Sequence, residues 1–350
     1  MTPSASGRVR IVLDAMGTES APAADVAGAA EAMADPQHGD AFELILVGHR
    51  ERIEAELGKH PTLDRSRVRV EDAREVIGMG DEPAQAVRRM RDSSIVRGLE
   101  IHRAGQADAF VSAGNTGAVM TASTLILGRI GGISRPTIAS LFPSATGFTV
   151  VADVGANVDT KPQHLAQFGI MASIYAELML GDPRPTVGLL NVGEEPGKGE
   201  NRAVEAFELM QAAPINFVGN VEGRDILKGT ARVVVCDGFV GNIVLKFAES
   251  VPSLLRSRIS GVAERGGIFT KLRLAAARGI LRSVFREMDY QEYGGVPLLG
   301  VDGVSIIGHG GSTPRAIRGM ILKAEEMVRR GVNQRIAEAI AAGQRTGDGG

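Results

Sequence analysis

Tryptophan is absent from the 350 residues, and cysteine occurs once, as Cys236. One thiol excludes any internal disulfide and any paired-cysteine zinc motif, and it suits a reducing compartment. No eighteen apolar residues run together, so no membrane-spanning helix is expected. The opening stretch, Met1-Thr-Pro-Ser-Ala-Ser-Gly7, lacks a cationic segment followed by an apolar one, so it does not read as a secretory signal. An excess of either charge is also missing: 39 Lys and Arg face 41 Asp and Glu. Nucleic acid is therefore not an expected partner, and any anionic surface would have to be met by a local patch. The expectation is a soluble, cytoplasmic protein of one large α/β unit or two domains.

Glycine, by contrast, is abundant. Its 45 occurrences are about 13% of the chain where roughly 7% is usual. They gather where apolar runs end. Asp108-Ala-Phe-Val111 runs into Ser112-Ala-Gly-Asn-Thr-Gly117, and Phe148-Thr-Val-Val-Ala152 into Asp153-Val-Gly-Ala-Asn157. Thr186-Val-Gly-Leu-Leu190 meets Asn191-Val-Gly-Glu-Glu195, Ile215-Asn-Phe-Val218 meets Gly219-Asn-Val-Glu-Gly223, and Val233-Val-Val-Cys236 meets Asp237-Gly-Phe-Val-Gly-Asn242. A helix-like run follows each. Such turns belong at the carboxyl edge of an open α/β sheet, where ligands bind and where helix N–H groups suit an anion.

The alternation continues along the chain and predicts a mostly parallel sheet with helices on both faces. Strands are expected near 9–13, 42–47, 67–70, 108–111, 136–142, 148–152, 186–190, 215–218 and 231–236. Helices are expected after Pro22, over 50–57, 82–104, 116–127, 162–180, 200–212 and 239–262, and over 314–342. Residues 1–7 and 343–350 read as disordered tails around a unit of 8–342, with two lobes about a cleft. The segment 252–288 breaks the rhythm. Up to Arg286 it holds eight basic residues against Glu264 alone, with Leu272, Ala276, Ile280, Val284 and Met288 every four residues and Arg278, Arg282 and Arg286 on a separate row. That is a basic amphipathic helix. It either packs on its own domain or a dimer mate, or meets anionic lipid or an acidic protein, with Lys271 beside the arginines.

Several residues carry candidate chemistry. Asp14 ends the first strand before Gly17 and either anchors the loop, orients a ligand or caps a helix. Asn115, Thr116 and Gly117 offer an amide, a hydroxyl and free N–H groups, either as a phosphate seat or as an ordinary cap. Lys198, between Gly197 and Gly199, is a solvated surface charge or an anion clamp. Cys236 sits in an apolar strand and reads as an inert core thiol. His309 either polarises a substrate or holds its turn. The P-loop pattern, a dinucleotide fingerprint after the first strand and a nucleophile elbow are all missing. No metal or cofactor is expected.

Together these stretches resemble one family, the phosphate acyltransferases (PlsX) of bacterial phospholipid synthesis. The matching segments are Asp14-Ala-Met-Gly17, Asp81-Glu-Pro-Ala-Gln-Ala-Val-Arg-Arg89 with Asp92-Ser-Ser94, and Ser112 to Gly117. Then come Arg135-Pro136, Asp153 to Asn157, Gly188-Leu-Leu-Asn191 with Gly193-Glu194, and Gly219 to Asp225. Asp237 to Asn242 with Leu245-Lys246, Gly294 to Gly300, and His309-Gly310 complete them. The resemblance implies an α/β/α sandwich like isocitrate and isopropylmalate dehydrogenases and phosphotransacetylases, forming a homodimer. It implies transfer of an acyl group from acyl carrier protein to inorganic phosphate, peripheral membrane association, and contact with the downstream glycerol-3-phosphate acyltransferase. Lys198 and Asn242 match residues implicated in activity. Asp14, Gly17, Asn115, Thr116, Gly117, Asp153, Asn157, Glu194, Asp237 and His309 are the expected phosphate or substrate contacts; Lys271, Arg278, Arg282 and Arg286 are expected at the carrier or membrane. One departure stands out: the family usually has Gly and Asp where this chain has Thr18 and Glu19, and Thr18 puts a branched side chain at a turn where a positive φ is expected. A phosphotransacetylase-like enzyme using acyl-coenzyme A and a non-catalytic lipid-synthesis scaffold are the alternatives.

Overall fold

The structure, a computed structural model, describes residues 7–287 and 294–347. Its strands are β1 Val9–Asp14, β2 Phe42–Gly48, β3 Val68–Asp72, β4 Ala109–Ser112, β5 Thr137–Ser144 and β6 Gly147–Ala152. They continue with β7 Thr186–Leu190, β8 Asn216–Val221, β9 Val233–Val235, β10 Val296–Leu299 and β11 Val304–Ile307. The helices are α1 Ala23–Met33, α2 Arg50–Leu57, α3 Pro83–Arg89, α4 Ser94–Arg103, α5 Thr116–Ala122 with a π turn over Ser123–Leu127, α6 Pro162–Leu180 and α7 Asn201–Ala212. After them come α8 Gly223–Lys228, α9 Gly238–Arg265, α10 Gly267–Ala276, α11 Arg278–Glu287, α12 Pro314–Arg329 and α13 Val332–Gly347.

All eleven strands form one sheet in the order β3-β2-β1-β4-β11-β10-β5-β6-β9-β7-β8. Side chains alternate between its faces, as strand geometry requires. Ile11 and Leu13 enter one apolar core under α1, α2, α6, α7, α12 and α13, while Val12 enters the other under α3, α4, α5 and α8. Three layers result.

The sheet is mostly parallel, but in two halves of opposite sense. Pairing is parallel from β3 to β11 and again from β6 to β8; the pairs β11–β10, β10–β5 and β5–β6 are antiparallel. The glycine turns therefore follow carboxyl ends that point in two directions. The register brings them together. Val296 and Pro297 pair with Ile307 and Ile306, Leu298 pairs with Ile138, and Ala139 pairs with Ala152. This puts Ala152, the end of β6, level with Ile306, one residue from the end of β11. The two carboxyl edges meet at the seam.

Three expected helical segments are divided, and one expected tail is partly helical. The 82–104 run is two helices, because Ser93 starts a new one by accepting a hydrogen bond from Val96 N at 3.4 Å, and Ser94 N donates to Glu75 O. The 314–342 run breaks at Gly331, whose φ of +66° a helix does not use. The 343–350 tail is helical as far as Gly347; residues 348–350 and 1–6 lie outside the described residues, and Gly7 is a bend. The 252–288 segment is three pieces: the end of α9, which runs through Pro252, then α10 and α11. Met288 and the side chains of Lys271 and Arg286 lie outside the described residues. Within this arm Leu254, Ile268, Leu272 and Ile280 are exposed, as are Arg278 and Arg282. In the single chain, then, these side chains do not pack on their own domain. No helix among the described residues is long and apolar enough to cross a membrane.

Candidate active site

A cavity of about 310 Å³ lies at the seam. Ile138, Leu141, Val154, Leu245, Val296 and Ile307 make its wall apolar. Its polar groups are Thr116, Ser140, Asn242, Lys246, Glu249, His309 and Ser312. Each half-sheet contributes: Thr116 follows β4, His309 and Ser312 follow β11, and Asn242 sits on the first turns of α9 after β9.

The helix starts explain the chemistry. Asn115 caps α5 by accepting from Ala118 N at 3.0 Å, which leaves the N–H groups of Thr116 and Gly117 without an acceptor among the described residues. The exposed Thr116 hydroxyl stands beside them. Asp237 caps α9 through Val240 N, and Thr313 caps α12 through Ala316 N. The N-termini of α5 and α12 thus border one cavity, each with the partial positive charge of aligned peptide dipoles, and α9 reaches it from its second turn onward. Lys246, one turn beyond Asn242, pairs with Glu249 at 2.9 Å. His309 Nδ1 accepts from Gly311 N at 3.0 Å, so a neutral ring carries its proton on Nε2.

The candidate residues divide into those that line the cavity and those that build it. Thr116, Asn242 and His309 line it. The Asn115 amide is spent: besides capping α5, it donates to Gly78 O and Asp81 O, pinning the 78–81 loop. Gly117 is a close approach, since a Cβ there would lie 2.6 Å from Pro83 Cγ, and one on Gly17 would lie 2.7 Å from Gly114 N. Asp14 is buried and accepts from Ser112 Oγ and Met16 N, anchoring the first loop to β4; burial raises its pKa. Asp153 is buried and accepts from Ile138 N, Ala156 N, Asn157 N and Asn157 Nδ2, and burial raises its pKa too. The Asn157 amide also donates to Pro136 O at 2.7 Å. Asp237 additionally meets Arg202 at 3.3 Å. Neither Lys198 nor Glu194 lines the cavity; both are exposed on the loop after β7, with Glu194 3.8 Å from Arg224. Burial pushes the Cys236 thiol well up, and its Sγ faces Asp153 O, as an inert core thiol should.

Lys246, Glu249, Ser140 and Ser312 went unassigned by the sequence. Lys246 had a signal: it follows Asn242 by four residues, one helical turn, on the same face. The two serines had none, because nothing local tells a cavity serine from a core one.

Thr18 corrects an expectation, because among the described residues none other than glycine has a positive φ. Its hydroxyl donates to Asp25 Oδ2 at 2.6 Å, in the core. Asp25 is fully buried, its Oδ1 has no hydrogen-bond partner among the described residues, and burial pushes its pKa up to about 7. The unfolded chain titrates this group near 3.9. Between the two values the folded state holds a proton that the unfolded state lacks, so stability falls as pH rises from about 4 to 7. Asp25→Asn is expected to remove this loss. The melting temperature of the variant relative to wild type should climb between about pH 4 and 7, by the equivalent of up to a few kcal/mol. A gap independent of pH would show an ordinary carboxyl.

Comparison with known proteins agrees with this geometry. The backbone is that of the phosphotransacetylases: it superposes on one from Streptococcus pyogenes with a TM-score of 0.62 at 17% identity, covering 92% of this chain and 94% of that one. The EutD phosphotransacetylase of Staphylococcus aureus gives 0.59, also at 17% identity, over 92% and 95%. Sequence carries the assignment further. Residues 9–335 match the family described as fatty acid synthesis protein. The phosphate acyltransferase of Chlorobaculum parvum is 47% identical over 95% of this chain and 98% of its own, and that of Chlorobaculum tepidum is 46% identical over 93% and 100%. The chain belongs to the phosphate acyltransferase family.

Proposed function

We propose that this enzyme transfers an acyl group from acyl carrier protein to inorganic phosphate, releasing acyl phosphate and free carrier. The observation that carries the proposal is the cavity itself: an apolar wall for the chain beside unpaired N–H groups, an amide and a lysine for an anion. Phosphate near neutral pH is already partly dianionic, so it needs positioning more than a base. One phosphate oxygen attacks the thioester carbonyl carbon, and the tetrahedral adduct collapses by breaking the C–S bond. The phosphate proton passes to the departing sulfur. The N–H groups of Thr116 and Gly117, with the Thr116 hydroxyl, hold phosphate. Asn242 and Lys246 stabilise the developing oxyanion. His309 contacts the substrate, and Lys198 brings a second cation from the β7 loop.

The exposed apolar and basic side chains of α9 to α11 support peripheral membrane attachment and homodimer formation, and the product suits a downstream glycerol-3-phosphate acyltransferase. Incubation with palmitoyl carrier protein and phosphate, with removal of the remaining thioester before hydroxylamine is added, is expected to give hydroxamate that depends on both enzyme and phosphate. Hydroxamate from palmitoyl-coenzyme A alone would make it a phosphotransacetylase-like enzyme. None from either thioester, with the protein folded, would remove the catalytic proposal.

A further inference from the structure

Away from the cavity, a second depression is bordered by Arg88 in the last turn of α3, Arg91 between α3 and α4, and Arg103 in the last turn of α4. Its floor is Val87, Leu125 and Ile126. Arg91 is paired with Glu100 at 3.0 Å, whereas Arg88 and Arg103 have no acidic partner among the described residues. Both are exposed, and Leu125 between them is 57% exposed. Unpaired arginines around an uncovered leucine are the complement of an acidic helix that also presents an apolar residue.

The position matters as much as the charge. Leu125 lies on the π turn that continues α5, and Thr116 at the other end of that helix lines the cavity. Nine residues of helix separate them by about 14 Å. A pantetheine arm is comparable to about five extended residues, roughly 17 Å. A carrier seated on the arginines thus holds its thioester within reach of the phosphate seat.

We propose that this depression, rather than the α9–α11 arm, is the docking surface for the acidic carrier protein; the inference rests on the carrier-thioester function above. The double variant Arg88→Glu/Arg103→Glu should bind fluorescently labelled carrier at least about tenfold more weakly and raise its KM to match. Turnover of the small thioester palmitoyl-pantetheine should stay within about twofold of wild type, since the cavity is untouched. The arm variant Arg278→Glu/Arg282→Glu should lose flotation with anionic vesicles but bind carrier as wild type does. Carrier binding that survives at the depression, or is lost from the arm variant instead, overturns the docking proposal. If wild type turns over neither thioester, the catalytic proposal fails, and the binding measurement still decides the docking one.

Discussion

Replacing Lys246 by alanine is expected to lower phosphate-dependent turnover about 100- to 1,000-fold, the usual cost of one donor to a developing oxyanion. Lys246 is the one lysine or arginine among the described residues that line the cavity. Its Nζ is paired only with Glu249, on its own helix. Removing an exposed ion pair of that kind costs the fold little, so the melting transition should stay within a few degrees of wild type. Initial rates against phosphate concentration, with a thermal melt of the same sample, make the test. Retention of more than a tenth of wild-type turnover would move the essential cation to Lys198.

Asp153→Ala should act in the opposite way, through the fold. The carboxylate collects three backbone N–H groups and the Asn157 amide in a buried turn. The amide keeps Pro136 O as a partner, but the backbone donors of Ile138, Ala156 and Asn157 lose this acceptor. Buried donors left unpaired cost about 1–3 kcal/mol each, which gives a loss of roughly 4 kcal/mol or more and a melting temperature lower by about 5 °C or more. Activity should fall with it, since Ile138 and Gly155 line the cavity and the Asn242 side chain lies against Gly155. Asp153→Asn keeps one acceptor oxygen and should fall between. A variant that melts like wild type yet is inactive would place Asp153 in the chemistry instead.

These two residues show what the sequence made legible. Asp153 and Asn157 announce themselves as a strand-end turn, but whether such a turn grips a ligand or the backbone depends on partners at Pro136 and Ile138, far from the motif. Lys246 looks like any helical lysine until the seam brings it opposite Thr116. Long periodic elements were readable: α2 and α6 have the expected bounds, and β7 is unchanged. The strands β10 and β11 were not, because each has four residues, Pro297 interrupts one, and glycines flank both. Without them the reversal of the sheet could not be foreseen.

That central placement has a consequence for synthesis. β10 and β11 are the last strands to leave the ribosome, yet they lie between β4 and β5 in the middle of the sheet. Until residue 307 has emerged, the growing polypeptide holds two unfinished sheets, each with an open edge where another chain can add. The closing contacts join Ala109 to Val304 and Thr137 to Leu299, across about half the polypeptide. Long-range closure of this kind is slow. The nascent protein is therefore most exposed to aggregation until β10 and β11 insert, and this pair of strands acts as the keystone.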